Sequence, residues 1–190
     1  MDKVYEFELT TQGIRKFRYK LLQIEREIGS EDFRQYLGKR MEEALRFIQR
    51  ELLTTIDTDL KEELSNYMNS NHLEIEGDII YIYNDAVIDI SSKNMKETTK
   101  ANYPAQLSLA KIVEYGIGYT GAVTTPYQNQ MEDWDYDVNN HGYKGWYYIN
   151  DDGEKVWTNG YQGRLIFFHL KEFVQKSIGT WITEYIEEKL

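Results

Sequence analysis

The spacing of apolar side chains changes twice along this chain, and this change constrains the fold more than any other feature. From residue 11 to residue 68, apolar residues recur every three or four positions, which is the period of an amphipathic helix. Residues 73 to 90 instead form short β-branched and aromatic runs, and residues 165 to 189 return to the helical period. The sequence therefore predicts an α+β fold with N-terminal amphipathic helices, a small antiparallel sheet with a tryptophan-rich hairpin, and a closing C-terminal helix.

Local capping signals divide the N-terminal helical part into separate helices. Thr10 or Thr11 can cap a first helix, which Gly29 ends. Ser30 is suited to cap a second helix, because two carboxylates follow it in a first turn where the helix dipole favours negative charge. A shorter helix is predicted over residues 59 to 68. The apolar stripe of the long second helix consists of Phe33, Leu37, Met41, Ala44, Leu45, Ile48, Leu52 and Ile56.

The central part of the chain is predicted to contain strands, a short helix and a loop. The strands are separated by turn pairs and are predicted to form consecutive hairpins of an antiparallel meander. Residues 105 to 115 are predicted to form a helix that Gly116 ends. Residues 118 to 142 are polar and acidic and contain no Lys or Arg, which predicts a long acidic loop. The predicted strands are residues 73 to 75, 79 to 83 and 87 to 90.

Residues 145 to 160 have the pattern of a hairpin. Aromatic and β-branched residues occupy both arms and flank an Asn-Asp-Asp-Gly turn, in which Gly153 can supply a positive φ. A ribbon of this size is marginal in water when it stands alone. We therefore expect its aromatic face to pack on a helix, on another sheet or on a partner chain.

Composition limits the classes to which the protein can belong. The chain has 190 residues, of which 41% are hydrophobic, and is expected to form one domain over residues 1 to 190. It has no cysteine, which excludes disulfides, thiolate metal sites and cysteine nucleophiles. Neither a signal peptide nor a membrane-spanning run is recognisable. These features predict an intracellular protein that makes no membrane contact.

Charge is distributed unevenly along the chain. The net charge is -10, yet residues 11 to 50 hold ten Lys or Arg against six Asp or Glu, so the remaining residues sum to -14. A run of cations on a helix is usually a solvated face, and its functional alternative is a contact with nucleic acid or with an acidic protein surface.

The motifs that could carry chemistry are incomplete. Asp133, Asp135 and Asp137 alternate as at the start of a calcium loop, but Val138 and Lys144 stand where such a loop needs Gly and Glu. No nucleophile elbow or phosphate-binding loop is present, and the histidines have no ligand spacing. The sequence predicts no catalytic residue, cofactor or metal, although an enzyme with a dispersed site is a further alternative. The histidines are His72, His141 and His169.

The order of these segments resembles the phage tail-completion and neck protein family, the minor tail components that join head and tail in long-tailed bacteriophages and prophages. The resemblance lies in residues 110 to 116 (Ala-Lys-Ile-Val-Glu-Tyr-Gly), in the Gly-Trp-Tyr hairpin, in residues 157 to 160 (Trp-Thr-Asn-Gly), and in a helix that starts with Phe167 and Phe168. It implies a structural virion protein without an active site, made in the host bacterial cytoplasm and assembled as a ring at the neck. Its implied partners are copies of itself, other head-tail connector or tail tube proteins, and DNA in the channel, bound without sequence specificity.

A ring requires two different surface patches that meet between neighbouring copies. The tyrosines of the central and hairpin regions fit either a half-buried sheet surface or a subunit interface, since rigid aromatic side chains give a large contact area at low entropic cost. The cations of the second helix could face an acidic surface or DNA. The candidate interface residues are Tyr115, Tyr119, Trp134, Tyr136, Trp146, Tyr147, Trp157, Arg34, Lys39, Arg40 and Arg46.

A carbohydrate or choline-type cell-wall binding module is the alternative to a virion protein. The sequence Gly-Trp-Tyr-Tyr-Ile-Asn-Asp-Asp-Gly, residues 145 to 153, is similar to the repeats of choline-binding and glucan-binding proteins. Those repeats build aromatic cages for cationic or sugar ligands and stack in several copies. This chain has one copy, which favours the first interpretation.

Overall fold

The α+β class predicted from the sequence is confirmed by the computed structural model, which describes residues 11–54, 61–89, 106–124, 145–149 and 155–189. Its helices are α1 (Thr11–Ile28), α2 (Glu31–Leu53), α3 (Lys61–Asn69), α4 (Leu109–Tyr115), α5 (Gly118–Thr124) and α6 (Ile166–Lys189). Its strands are β1 (Asn71–Glu76), β2 (Ile79–Asn84), β3 (Val87–Asp89), β4 (Gln106–Ser108), β5 (Gly116–Ile117), β6 (Trp146–Ile149), β7 (Lys155–Thr158) and β8 (Tyr161–Gln162).

The two longest helices, α2 and α6, pack against each other and carry much of the core. Ser30 caps α2 as predicted, because its Oγ accepts a hydrogen bond from the backbone N–H of Phe33 at 3.1 Å. The ring of Phe33 lies 5.1 Å from that of Tyr185 on α6. The α2 core residues Ala44, Leu45 and Ile48 belong to the predicted stripe, whereas Leu53 lies outside it; those on α6 are Ile166, Leu170 and Trp181.

The β1–β2 hairpin packs on α2 through one of its faces. Its strands pair antiparallel, with Leu73 opposite Ile82 and Ile75 opposite Ile80. Gly38 of α2 permits this close packing, because a Cβ there would lie only 3.2 Å from a methyl group of Leu73. The alternate residues of both strands point away from α2 and are exposed.

A group of hydrogen-bonded amides, one of them fully buried, fixes the position of this hairpin relative to the helices. The side chains of Gln49 and Asn71 exchange two hydrogen bonds of 2.9 Å, and Gln49 is fully buried. Asn84, opposite Asn71 in the ladder, donates to Asn71 Oδ1 at 2.9 Å and to the Tyr67 carbonyl at 2.6 Å. These hydrogen bonds depend on one another, because breaking one would leave a buried amide without a partner and so lower the stability of the folded protein.

The meander prediction is wrong at its third strand. β3 pairs antiparallel with β4, not with β2, so that Ile88 lies opposite Leu107. The physical reason lies at Asn84, whose Oδ1 accepts a hydrogen bond from the N–H of Ala86 at 3.0 Å. This local bond turns the chain, and the burial of Ala86 directs it into the core instead of back along β2.

Two further boundaries differ from the predictions. The helix expected over residues 105 to 115 begins only at Leu109, because the side chain of Ser108 caps it by accepting from the N–H of Lys111 at 3.2 Å. Gly116 ends it as predicted, with φ of 82°. The acidic loop expected over residues 118 to 142 begins with helix α5, and its remainder lies outside the described residues.

Two backbone segments cross closely where β5 pairs with β8, and we call residues 113–118 and 159–165 the glycine junction. Gly116 pairs with Gln162 and Ile117 with Tyr161. A Cβ on Gly160, whose φ is +105°, would collide with the carbonyl oxygen of Ile117. A Cβ on Gly163 would likewise collide with the carbonyl oxygen of Glu114. Only glycine at these positions allows the two backbones to approach so closely.

We predict opposite effects for two Gly→Ala substitutions. Gly160→Ala should lower the free energy of unfolding by more than about 1 kcal/mol, because the new Cβ meets backbone at a φ that L residues rarely adopt. Gly179→Ala, in the interior of α6 with nothing within 4 Å, should raise it by about 0.5–1 kcal/mol. Urea unfolding followed by circular dichroism measures both changes. Equal effects at the two sites would contradict the close crossing of the backbones.

Candidate interaction surfaces

The β6–β7 hairpin presents an exposed aromatic pair. Tyr147 lies opposite Trp157 in the antiparallel ladder, and their rings meet edge to face with centroids 4.8 Å apart. The Lys155 ammonium lies 4.3 Å from the centroid of the Tyr147 ring. Tyr147 is 57% exposed and Trp157 is 51% exposed. The antiparallel pairing of the predicted hairpin is confirmed, but the described helices and sheets leave these two side chains uncovered.

The base of this hairpin is tied to the glycine junction. Gly145, with φ of +69°, lies against the carbonyl of Thr158, where a Cβ would collide. Thr158 Oγ1 accepts from the N–H of Gly160 at 3.0 Å. Asn159 accepts from Thr120 twice, through its carbonyl at 3.0 Å and through its side-chain oxygen at 2.9 Å. The Trp-Thr-Asn-Gly sequence therefore anchors the hairpin through its last three residues and exposes its tryptophan.

The other aromatic candidates occupy different environments. Tyr115 ends α4 and is partly buried, and this burial, assisted by the charge of Glu114, raises the pKa of its hydroxyl. Tyr119 lies in α5 and is 46% exposed. Trp146 lies in β6, where its backbone pairs with Thr158. The structure thus brings Tyr115 and Tyr119 into the two helices that flank β5. Trp134 and Tyr136 lie outside the described residues.

Two of the candidate cations on α2 are paired with carboxylates of the same chain. Arg34 donates to Asp78 in the β1–β2 turn at 3.1 Å and to the carbonyl of Gly29 at 3.0 Å. Arg46 binds Glu42, one helical turn away, at 2.7 Å. Such exposed pairs add little stability, yet they reduce the charge that these arginines present to a partner. Lys39 is exposed.

Arg40, the remaining candidate cation on α2, joins that helix to α6. Its guanidinium lies 3.0 Å from Glu184 and 5.6 Å from the centroid of the Trp181 ring. Tyr36 donates to the same Glu184 carboxylate at 3.3 Å. These contacts assign Arg40 mainly to the packing of the two long helices. The four candidate cations therefore do not form one uniform basic surface.

A basic surface does occur on α1, which the sequence interpretation did not single out. Four cations and no carboxylate lie between residues 11 and 24, and all four are exposed. Among the described residues, none forms an ion pair with Arg15, Lys16 or Arg18. The excess of cations over residues 11 to 50 correctly indicated a basic surface in the first helices. Its position on α1 depends on the ion pairs that the α2 arginines form in the folded chain.

Glu114 is the most deeply buried carboxylate among the described residues, and it caps a helix far away in the sequence. It is 8% exposed. Its two oxygens accept hydrogen bonds from the N–H groups of Phe167 at 3.0 Å and Phe168 at 3.2 Å, in the first turn of α6. The residue before α6 is Leu165, which has no side-chain acceptor and a φ of 52°. Glu114 therefore supplies the cap that the local sequence lacks.

Burial and hydrogen bonding act on Glu114 in opposite directions. Burial raises the pKa of its carboxyl above the ordinary value, and the N–H groups at the start of α6 oppose that rise without cancelling it. Its charge also adds to the effect of burial in raising the pKa of the neighbouring Tyr67 hydroxyl. A buried acid with a shifted pKa is a candidate catalytic group. Here both carboxylate oxygens are already bound by backbone donors, which indicates a structural role.

No three His, Cys, Asp or Glu side chains in the described ranges cluster so as to hold a metal ion. None of the helices in the same ranges is long and apolar enough to cross a membrane.

Comparison of the chain with protein-family models, with curated proteins and with solved structures gave no match.

We predict that neutralising Glu114 changes the pH dependence of stability. The pKa of Glu114 is higher in the folded protein than in the unfolded chain, so folding favours the protonated acid. The stability that this group contributes is therefore present at acidic pH and is lost as the pH rises through the pKa of the folded state. Glu114→Gln should remove that loss. The stability advantage of the wild type over the variant should therefore shrink between acidic and neutral pH in urea titrations.

Exposed Glu187 in α6, the helix that Glu114 caps, provides the matched control, and Glu187→Gln should show no such trend. Glu114→Ala should cost about 1–3 kcal/mol at every pH, because two N–H groups lose their acceptor. A wild-type advantage over Glu114→Gln that grows with pH would mean that the backbone donors outweigh burial.

Proposed function

We propose that this chain is a non-enzymatic structural protein of a phage or prophage virion, a tail-completion or head-tail joining component that assembles into a ring at the neck. In this proposal it contacts copies of itself and other head-tail connector or tail tube proteins. It is located in the virion, after synthesis in the host bacterial cytoplasm.

The exposed Tyr147–Trp157 pair is the observation that carries the proposal. Paired aromatic rings that stay half exposed on an anchored hairpin are typical of surfaces that become buried in a complex. Because Gly145 and Thr158 tie the hairpin to the glycine junction, little backbone freedom would be lost on binding. The position of this hairpin after the Gly116 segment and before the Phe167-Phe168 helix follows the order expected for the family.

A contact with channel DNA would use exposed cations. Arg34 and Arg46 are paired with carboxylates, and Arg40 joins α2 to α6. Lys39 and Arg50 of α2 are exposed cations that such a contact would use. A contact of this kind is electrostatic and independent of base sequence, in keeping with a channel through which any sequence passes.

The cell-wall binding alternative would use the same hairpin differently. A choline cage needs open aromatic faces around a cation, and here the chain's own Lys155 ammonium lies over the Tyr147 ring. Trp157 still has an exposed surface that could stack on a sugar. The alternative therefore predicts sugar binding that depends on Trp157 alone, whereas an assembly contact uses both aromatic side chains.

We predict that the hairpin pair is required for virion assembly. Deleting the gene from the phage or prophage that encodes it should give DNA-filled heads and separate tails in electron micrographs. The wild-type gene should restore joined particles and plaque titre, whereas Tyr147→Ala with Trp157→Ala should not, because the apolar contact is lost.

Phe47, an aromatic residue of similar exposure on α2, provides the matched control, and Phe47→Ala should restore assembly. Both variants must show the wild-type circular dichroism spectrum. Joined particles without the gene would overturn the proposal. Retention of the purified protein on bacterial cell walls, abolished by Trp157→Ala and by free sugar, would favour the binding-module alternative.

A further inference from the structure

The exposed part of α1 combines apolar and positively charged side chains. Ile14, Phe17 and Leu21 follow each other at helical spacing on one face, and Ile14 and Leu21 are 53% and 48% exposed. Exposed cations accompany them through the same two turns: Arg15, Lys16, Arg18 and Lys20. Helix α1 contacts α2 and α6. Among its described side chains, the half-buried ones are Gln23, Ile24 and Glu27 in its C-terminal half. The N-terminal half therefore presents an exposed amphipathic surface.

The outward face of the β1–β2 hairpin has the complementary character. On one strand it exposes Ile79, Tyr81 and Tyr83, and Ile79 is 55% exposed. On the paired strand Glu74 lies opposite Tyr81 and Glu76 opposite Ile79. Residues 71 to 89 contain five carboxylates and no Lys or Arg. An apolar strip bordered by negative charge thus lies on a face whose reverse side packs on α2.

The two surfaces also agree in size. The exposed stretch of α1 from residue 14 to residue 22 is nine residues long, or about 14 Å at the rise of an α-helix. Each strand of the hairpin has six residues, or about 20 Å at the rise of a strand. A helix of this length can lie along the ribbon with its apolar stripe on Ile79 and Tyr81 and its cations beside Glu74 and Glu76.

We infer that α1 of one copy docks on the outward face of the β1–β2 hairpin of a second copy, and that this heterologous contact is the self-interface of the ring. The inference rests on the proposed function for the ring itself. The contact between copies follows from the two surfaces alone. Each copy has one basic face on α1 and one acidic face on the β1–β2 hairpin, so the basic face of one copy can bind the acidic face of the next, as a head-to-tail assembly requires.

Charge and apolar area together favour a second copy over the other possible occupants. Duplex DNA would bind the cations but provides no apolar surface for Ile14 and Leu21. An anionic bilayer could take both features of α1, but it would repel a chain of net charge -10 and leave the acidic hairpin face uncovered. A second copy satisfies both faces at once.

Two double variants test the contact. Arg15→Glu with Arg18→Glu reverses two of the four cations on the exposed half of α1, and Glu74→Lys with Glu76→Lys reverses the two carboxylates that border the apolar strip of the hairpin. Light scattering coupled to size exclusion, over a protein concentration series at low and high salt, should show that the wild type associates and that salt weakens the association. Each double variant alone should associate about tenfold more weakly or worse, since like charges then face each other.

Mixing the two double variants provides the decisive result. The hairpin variant keeps the basic α1 and the α1 variant keeps the acidic hairpin, so the mixture rebuilds the native pairing between unlike copies and should associate although neither variant does so alone. A quadruple variant carries all four changes in one chain. That quadruple variant should regain the association, because the charges are exchanged between the two faces. Lys111→Glu with Lys171→Glu makes the same charge change as the α1 variant at exposed sites elsewhere and should associate like the wild type. Each variant must show the circular dichroism spectrum and melting curve of the wild type, so that unfolding is excluded as the cause of any lost association.

Several outcomes would overturn the inference. These are a wild type that stays monomeric at every concentration, double variants that associate normally, a quadruple variant that stays dissociated, or α1-dependent binding to anionic vesicles or DNA in place of self-association. Association lost only in the α1 variant would indicate an α1–α1 contact instead.

If the contact is confirmed but gene deletion leaves particles joined, the proposed function fails and the interface stands. If joining needs the gene but not these charges, the interface alone fails.

Discussion

The close crossing of two backbone segments at the glycine junction is the constraint on which the surrounding described elements depend. Gly160 and Gly163 allow the later segment to lie against the carbonyls of Ile117 and Glu114. The same approach places the Glu114 carboxylate at the start of α6. It also holds Asn159 against Thr120 at the base of the tryptophan hairpin. One packing contact thus starts the last helix and orients the exposed aromatic pair.

Glu114 illustrates why such a contact uses a charged group. A carboxylate accepts both N–H groups, one on each oxygen, and its negative charge interacts favourably with the helix dipole. The burial that makes the contact possible also raises the carboxyl pKa, because the cost of burying the charge exceeds what these hydrogen bonds return to the ionised form. The net effect is a well-defined start for α6 at a residue, Leu165, that would not otherwise begin a helix.

Features set by neighbouring residues were predictable from the sequence. Ser30 begins α2 and Gly116 ends α4, because caps act within a few positions of the chain. Features set by distant residues were not. The pairing of β3 with β4 spans the chain from Asp89 to Gln106, and Glu114 caps a helix 53 positions away at Phe167. No local pattern distinguishes this glutamate from one on a solvated helix face.

The same distinction applies to the surfaces. The sequence revealed an excess of cations in the first helices but not which of them carboxylates elsewhere would bind. Arg34 is bound by Asp78 and Arg40 by Glu184, each a contact between distant parts of the chain. The exposed basic surface consequently lies on α1. The aromatic pair of the hairpin was predictable as a pair from the alternation of its strands, whereas its exposure depends on how the glycine junction directs the hairpin.

The two kinds of exposed surface suit different partners, and this difference bears on how a ring could fit into a larger particle. The α1 and β1–β2 faces carry opposite charge on the same chain, so each copy supplies the complement of the other. Within the described residues the Tyr147–Trp157 face shows no comparable complement, and the neighbouring cation Lys155 already lies over the tyrosine ring. If copies meet through α1 and the β1–β2 hairpin, the aromatic face is not consumed by self-association. It then remains available, on every copy of the ring, for a different protein.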